Sequence, residues 1–319
     1  MRRASLFLVA CLLFYGLSIR PVRATYLVFI RLDGTVDPST VPIQRTGNLY
    51  TFTGNIVDCH GIRPQRDNIV IDGNGYMLDG VGQVRGFDLE SLVNVTIKNV
   101  VITQFEYGVY LSTVDGYTLI GNTITNNVLD GIFMYFSDDN VIRNNIIANN
   151  GRHGINLGQD CNNNLIIGNT IENNGLIVFY TSGNTLYHNN LISGVTHYGP
   201  SSETINAWDN GCEGNYWIDY YGSDADGDGI GDTPYILNEH SADRYPLMNP
   251  YWNPSDINHD LKVDIQDVAT AALAFGSYPG HDRWNPHCDI TGPIYLVSDG
   301  KIDIRDIALV AIHFGEEYM

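Results

Sequence analysis

Positive charge is scarce in this chain: 17 Lys and Arg stand against 36 Asp and Glu, a formal net charge of −19. Nucleic-acid binding needs clustered cations that displace counterions from phosphates, so that partner class is excluded and divalent cations become the ionic partners to look for. Methionine and cysteine are each limited to five. Cys59, Cys161, Cys212 and Cys288 lack the short spacings of a metal site; they permit disulfides outside the cell, with the pairing open. Long apolar runs are absent after the first 24 residues, so no transmembrane helix is expected in the mature chain. The start reads as an export signal: Arg2 and Arg3, an apolar stretch from Ala4 to Leu17, then Val22-Arg23-Ala24 with small residues for cleavage. Residues 1–24 are therefore expected to be removed as a signal peptide, which makes the protein secreted or cell-surface.

What the chain does have is a period. Gly108, Gly131 and Gly154 are each 23 apart, Asn99, Asn122 and Asn145 keep the same step, and Asn169 and Asn189 continue it slightly out of phase. Apolar or β-branched residues recur three before and two after those asparagines: Thr96 and Val101, Leu119 and Ile124, Ile142 and Ile147, Ile166 and Ile171, Leu186 and Leu191. Alternating runs such as Gly131-Ile132-Phe133-Met134 read as strands. Self-similarity at this length means stacked units, and stacked coils about 4.8 Å apart put equivalent side chains over one another. The fold class is thus mainly β, a right-handed parallel β-helix, with the asparagines forming an amide ladder between coils. Residues 25–60 are expected to cap the open end, with Thr25-Tyr26 to Arg31 as a strand; 61–217 hold the coils, 218–253 an acidic segment and 254–319 a small C-terminal module.

The Ile-x-x-Asn-x-Ile coils resemble the parallel β-helix repeats of secreted carbohydrate-binding and sugar-hydrolase proteins. Asn215-Tyr216-Trp217, Asp224 to Asp232, Thr233-Pro234-Tyr235 and Tyr245-Pro246-Leu247 resemble, more specifically, archaeal NosD-like proteins over about residues 45–250. That likeness implies copper delivery as one function, yet His153, His188 and His197 are scattered and methionine is rare, so the residues do little to support copper.

Two acidic patterns point to calcium instead. Asp224, Asp226, Asp228 and Asp232 alternate with glycines that let the backbone curl round a hard cation; the alternative is a solvated acidic linker. In the C-terminal module Asp264-Ile265-Gln266-Asp267-Val268-Ala269 to Phe275-Gly276 recurs 39 residues later as Asp303-Ile304-Arg305-Asp306-Ile307-Ala308 to Phe314-Gly315. Asp256, Asn258, Asp260, the Lys262 carbonyl, Asp264 and Asp267 fall at positions 1, 3, 5, 7, 9 and 12 of an EF-type loop. Each loop predicts a helix ending at glycine, with Val268, Ala272 and Phe275, or Ile307, Ala311 and Phe314, on one face. The pair resembles a type I dockerin, an EF-hand-like module that plugs a protein into a cohesin. The resemblance implies a second site from Asp289, Thr291, Asp299, the Lys301 carbonyl, Asp303 and Asp306, and a cohesin read by Ile265 with Gln266 and Ile304 with Arg305. Two departures stand out: Gly292 to Ser298 is inserted in the second loop, and Leu261 replaces the usual turn glycine of the first. A surface-layer protein, or another part of this chain, is the alternative partner.

On the coils the period stacks Arg85, Tyr107, Asp130 and His153 in one column, a mixture suited to acid–base chemistry on a sugar or to holding a uronate. Tyr110, Phe133 and Asn156, two residues past the spaced glycines, should point outward, where aromatic rings could meet a sugar. Asp130, His153 and Arg85 are the candidate catalytic residues, and Tyr107, Tyr110 and Phe133 the candidate carbohydrate contacts. If the protein is an enzyme, the reaction is that of a polysaccharide lyase or glycoside hydrolase; the rival reading is a structural or adhesive spacer with no chemistry.

Overall fold

The computed structural model describes residues 22–23, 26–193, 195–198, 205–251, 255–257, 263–285, 288, 290 and 300–312. The chain winds into a right-handed parallel β-helix of about seven turns, whose coils supply strands to three sheets of nine, nine and eight strands. The candidate functional sheet runs through Ile62–Pro64, Arg85–Glu90, Tyr107–Ser112, Ile132–Tyr135, His153–Leu157 and Gly175–Phe179. Strand alternation sends every second residue into the bore. Ile97, Leu119, Ile142, Ile166 and Leu186 stack in register there, as do Ile102, Ile124, Ile147, Ile171 and Leu191, all buried. Each such side chain contributes roughly 1.5–3 kcal/mol by leaving water, which is why the coils hold together without disulfides. Cys59, Cys161, Cys212 and Cys288 are all unpaired.

The periodic glycines mark a corner where coils approach too closely for a side chain. A Cβ on Gly108 would lie 2.6 Å from the carbonyl oxygen of Gly131, and one on Gly131 2.8 Å from that of Gly154.

The asparagines do form a ladder, with one correction. Each Nδ2 donates to the Oδ1 of the next coil: Asn122 to Asn145 at 3.0 Å, Asn145 to Asn169 at 2.9 Å, Asn169 to Asn189 at 3.0 Å and Asn189 to Asn215 at 2.9 Å. Asn99 is not a rung. The coil ending at Asn122 is one residue shorter, so Val101 pairs with Thr123 and Val100, whose N–H donates to Asn122 Oδ1, takes the rung position. Asn99 sits one residue earlier, in a left-handed turn column at φ +53°, above Gly121, Asn144, Gly168 and His188. Two further ladders occupy the other corners: Asn127 to Asn150 to Asn174, and Asn140 to Asn164 to Asn184 to Asn206.

The ends of the stack are closed differently. At the N-terminal end Val28–Ile30 extends the functional sheet and is covered by antiparallel Val36–Asp37, while Ile43–Thr46 pairs antiparallel with Leu49–Phe52, so strand edges are turned away from further pairing. Val22–Arg23, inside the segment expected to be cleaved, pairs with Ile56–Val57. At the other end Asp243 stops the first ladder: its carboxylate accepts from Asn215 N at 2.7 Å, Trp217 Nε1 at 2.8 Å and Tyr245 N at 3.1 Å. Burial outweighs those donors and pushes Asp243 up to about 6. A carboxyl raised in the folded state adds stability that is full below its ordinary value near 4 and lost as pH rises through 6. A rise of that size corresponds to about 3 kcal/mol. The melting temperature of wild type is therefore expected to fall relative to Asp243→Asn between pH 4 and 6.5. Parallel pH profiles for the two proteins would refute this role.

The C-terminal module contains two described helices, α1 (Ile265–Ala274) and α2 (Ile304–Ile312), packed over Ile257, Val263, Ala271, Ala274, Cys288, Ile290, Ile302, Leu309 and Val310. Asp264 caps α1, and the buried Asp267 accepts from Asp264 N and Ile257 N, both at 2.8 Å. Asp306 repeats this with Asp303 N at 2.7 Å and Ile290 N at 2.9 Å. These inward carboxylates set the helix rotation. The buried stripe of α1 is Asp267, Ala271 and Ala274, whereas Ala272 and Phe275, expected on it, are exposed and Val268 lies at its margin. In α2 Leu309 and Val310 are buried, Ile307 is partly buried, Ala311 is exposed, and Phe314 lies outside the described residues.

Candidate functional site

The outward face of the functional sheet gathers the coil residues singled out by the period. Arg85 pairs in register with Tyr107, and Tyr110 with Phe133, which in turn faces Asn156. The N–H of Gly131 donates to the His153 carbonyl at 2.8 Å, which carries the Asp130 position onto His153.

Asp130 and His153 form the tightest polar unit. His153 Nδ1 lies 2.8 Å from Asp130 Oδ1, which also accepts the His153 backbone N–H at 3.1 Å. Asn156 Nδ2 donates to Asp130 Oδ2 at 3.1 Å, and Arg152 Nη2 lies 3.4 Å from it. Asp130 is fully buried, while His153 keeps part of its ring exposed. A carboxylate with four polar contacts is a positioning group: it holds the imidazole through Nδ1 and leaves the Nε2 edge directed away from it. Burial, reinforced by the negative charge of Asp130, raises the Tyr107 phenol above its ordinary value and keeps it a hydrogen-bond donor.

The aromatic residues cluster, but not as a flat platform. Tyr110 and Phe133 stack on each other at 5.2 Å and 15°, and the Arg85 guanidinium covers the Tyr110 ring at 3.3 Å from its centroid. Tyr107 leans on both, 5.6 Å from Tyr110 and 5.3 Å from Phe133. Tyr110 has both faces occupied, which leaves only its edge open to a ligand. The expectation of a face-on ring fails there because rings one coil apart are close enough to stack on one another first.

Arg85 belongs to a second polar unit. Its Nη1 pairs with Asp88 Oδ1 at 2.8 Å and Glu90 Oε1 at 3.0 Å, while Arg63 Nε donates to Asp88 Oδ2 at 2.8 Å. Sequence reasoning missed Asp88, although it stands two residues after Gly86, the same offset as Tyr110 from Gly108. Gly86 lies 22 rather than 23 residues before Gly108, and a strict period passes over it.

Of the acidic loop, Asp224, Asp226 and Asp228 bring carboxylate oxygens within 4.8 Å of one another. Asp224 also accepts from Gly227 N at 2.7 Å and Gly229 N at 3.1 Å, which curls the loop round it. Asp232 closes the base by accepting from Ser223 Oγ and Ala225 N, both at 2.9 Å. In the C-terminal module Asp256, Asp264, Asp267, Lys301, Asp303 and Asp306 are described, whereas Asn258, Asp260, Lys262, Asp289, Thr291 and Asp299 lie outside the described residues. Arg305 pairs with Asp303 at 2.7 Å and holds its carboxyl below the usual range.

Residues 33–222 match the family described as "Periplasmic copper-binding protein (NosD)". The chain belongs to the NosD family. No curated protein matches it. Among solved structures this NosD-family chain is similar to the periplasmic alginate epimerase AlgG, with 22% identity over 48% of this chain and 40% of that one and a TM-score of 0.40. It is also similar to the Agl-KA catalytic domain, with 20% identity over 53% and 39% and a TM-score of 0.31. The chain thus spans about two fifths of either structure, and the activities of those proteins stay with them.

The family description raises copper, and the donor chemistry answers it. Among the described residues, the group of three or more His, Cys, Asp or Glu that brings donor atoms together is Asp224, Asp226 and Asp228, an all-oxygen set. Copper sites favour imidazole and sulfur. His153 is held by Asp130, and His188 lies 2.6 Å from Glu213 and stacks on Tyr251; the side chain of His197 lies outside the described residues. The described donors do not fit copper. No helix of the described residues is long and apolar enough to cross a membrane.

Proposed function

We propose that this protein is an exported, cell-surface β-helix that binds polysaccharide on the outward face of its functional sheet. The observation that carries this reading is the Asp130–His153 pair on the same sheet as the cluster of Arg85, Tyr107, Tyr110 and Phe133. Edge-on hydroxyls, an oriented imidazole and guanidinium groups within neighbouring coils are what recognition of a polyhydroxylated chain requires. Calcium is the cation proposed for the Asp224, Asp226, Asp228 and Asp232 loop, since carboxylate and backbone oxygens suit it. The duplicated loop–helix pair is proposed to bind calcium through Asp256, Asp264, Asp267, Asp303 and Asp306 together with the expected ligands outside the described residues. It would dock, dockerin-like, to a cohesin-type or surface-layer partner.

Binding and cleavage are separate claims. The full-length protein is expected to bind glycans on an array that spans pectin, alginate and β-glucans, and a blank array removes the polysaccharide reading. If His153 also serves as a general base, His153→Ala lowers reducing-sugar release or unsaturated-uronate absorbance by about 10²–10⁴-fold. Wild type that binds without turnover leaves a binder, and the spacer reading survives only if neither is seen.

A further inference from the structure

We infer that the ligand of this face is an acidic glycan, and that Arg63, Asp88 and Arg85 form the subsite for its carboxylate. This rests on the polysaccharide reading and adds the charge of the substrate and the place where it is read.

The argument begins with the distribution of charge. Between residues 61 and 217 the Lys and Arg residues are Arg63, Arg66, Arg85, Lys98, Arg143 and Arg152. Arg63, Arg85 and Arg152, half of them, reach this one face, in a protein whose net charge is −19. Asp88 is 3% exposed and gives one carboxylate oxygen to each of Arg63 and Arg85. It sets two guanidiniums side by side, one of them braced on the Tyr110 ring. Bridging by a buried carboxylate fixes the direction of both forks, the preorganisation that bidentate carboxylate recognition uses.

Glu90 shows that Arg85 accepts a second carboxylate beside Asp88. Its side chain is 53% exposed, and its Oε1 sits 3.0 Å from the same Arg85 Nη1 that binds Asp88. A solvent-exposed pair of this kind is worth little, so a uronate carboxylate can displace it, whereas buried Asp88 stays in place. Glu90 is an internal competitor for the ligand.

The test is calorimetric titration of the full-length protein with uronate oligosaccharides from pectin and alginate and with uncharged β-glucan oligosaccharides. Wild type should prefer the uronates, with affinity falling as salt rises. Glu90→Gln, a surface change that leaves the fold intact, should strengthen uronate binding about three-fold or more by removing the competitor. Arg63→Gln and Arg85→Gln should weaken it by about ten-fold, with folding checked by circular dichroism. Uncharged glycans bound as tightly as uronates, or no gain from Glu90→Gln, would overturn the acidic-glycan inference and leave the polysaccharide reading standing. No binding of either class to folded wild type would overturn both.

Discussion

Asn145→Ala is expected to destabilise the solenoid by about 3–5 kcal/mol, among the largest effects available from a single surface-remote substitution. Asn145 Oδ1 accepts both the backbone N–H and the Nδ2 of Asn122, at 2.9 and 3.0 Å. Its Nδ2 donates to Asn169 Oδ1 at 2.9 Å and to the carbonyls of Leu119 and Arg143, each at 3.0 Å. Alanine leaves the buried backbone N–H of Asn122 and one N–H of its side-chain amide without their acceptor, the other N–H keeping the Ile97 carbonyl at 3.0 Å, and each loss costs about 1–3 kcal/mol. Asn99→Gly is the control. Asn99 keeps the 23-residue step but stands outside the ladder at φ +53°, a conformation that suits glycine, so its loss should stay within about 0.5 kcal/mol. Urea unfolding midpoints for the two variants decide the matter, and equal losses would show that the ladder is not what holds the corner.

Chelating calcium from the full-length protein is expected to unfold the C-terminal module while leaving the β-helix intact. The module buries Asp267 and Asp306 at equivalent places, each accepting two backbone N–H groups, in a segment with few cations to balance them. Metal at a hundred-fold excess over its dissociation constant adds about 2.7 kcal/mol per site, and two sites then match the whole stability of a domain of some sixty residues, about 3–9 kcal/mol. Folding and metal binding are coupled under those conditions. Helical circular dichroism should drop on addition of chelator and return with calcium, while the β-sheet signal persists. A helical signal indifferent to chelator would refute the docking-loop assignment.

Much of the architecture was legible because one repeat copies its physics into every coil. Leu119 with Ile124, and Ile142 with Ile147, name the inward positions, and Asn122, Asn145, Asn169 and Asn189 name a ladder. The same reasoning reaches Asn127 with Asn150, 23 apart, and Asn140 with Asn164, 24 apart, once a slip of one residue is allowed. That slip is what misplaced Asn99 and hid Asp88. Asp243 had no such signal, since it closes the Asn122 ladder from 28 residues past the last rung, Asn215.

The sequence alone determined the coil, its inward stripe and the residues that share a face, because a β-solenoid turns sequence period into spatial register. Tertiary structure alone decided what those residues do for one another. Asp130 became the anchor of His153, Tyr110 was sealed between Arg85 and Phe133, and Asp88 bridged two arginines. Period fixes where a side chain starts, but neighbours a coil away, through hydrogen bonds and ring contacts, fix where it ends.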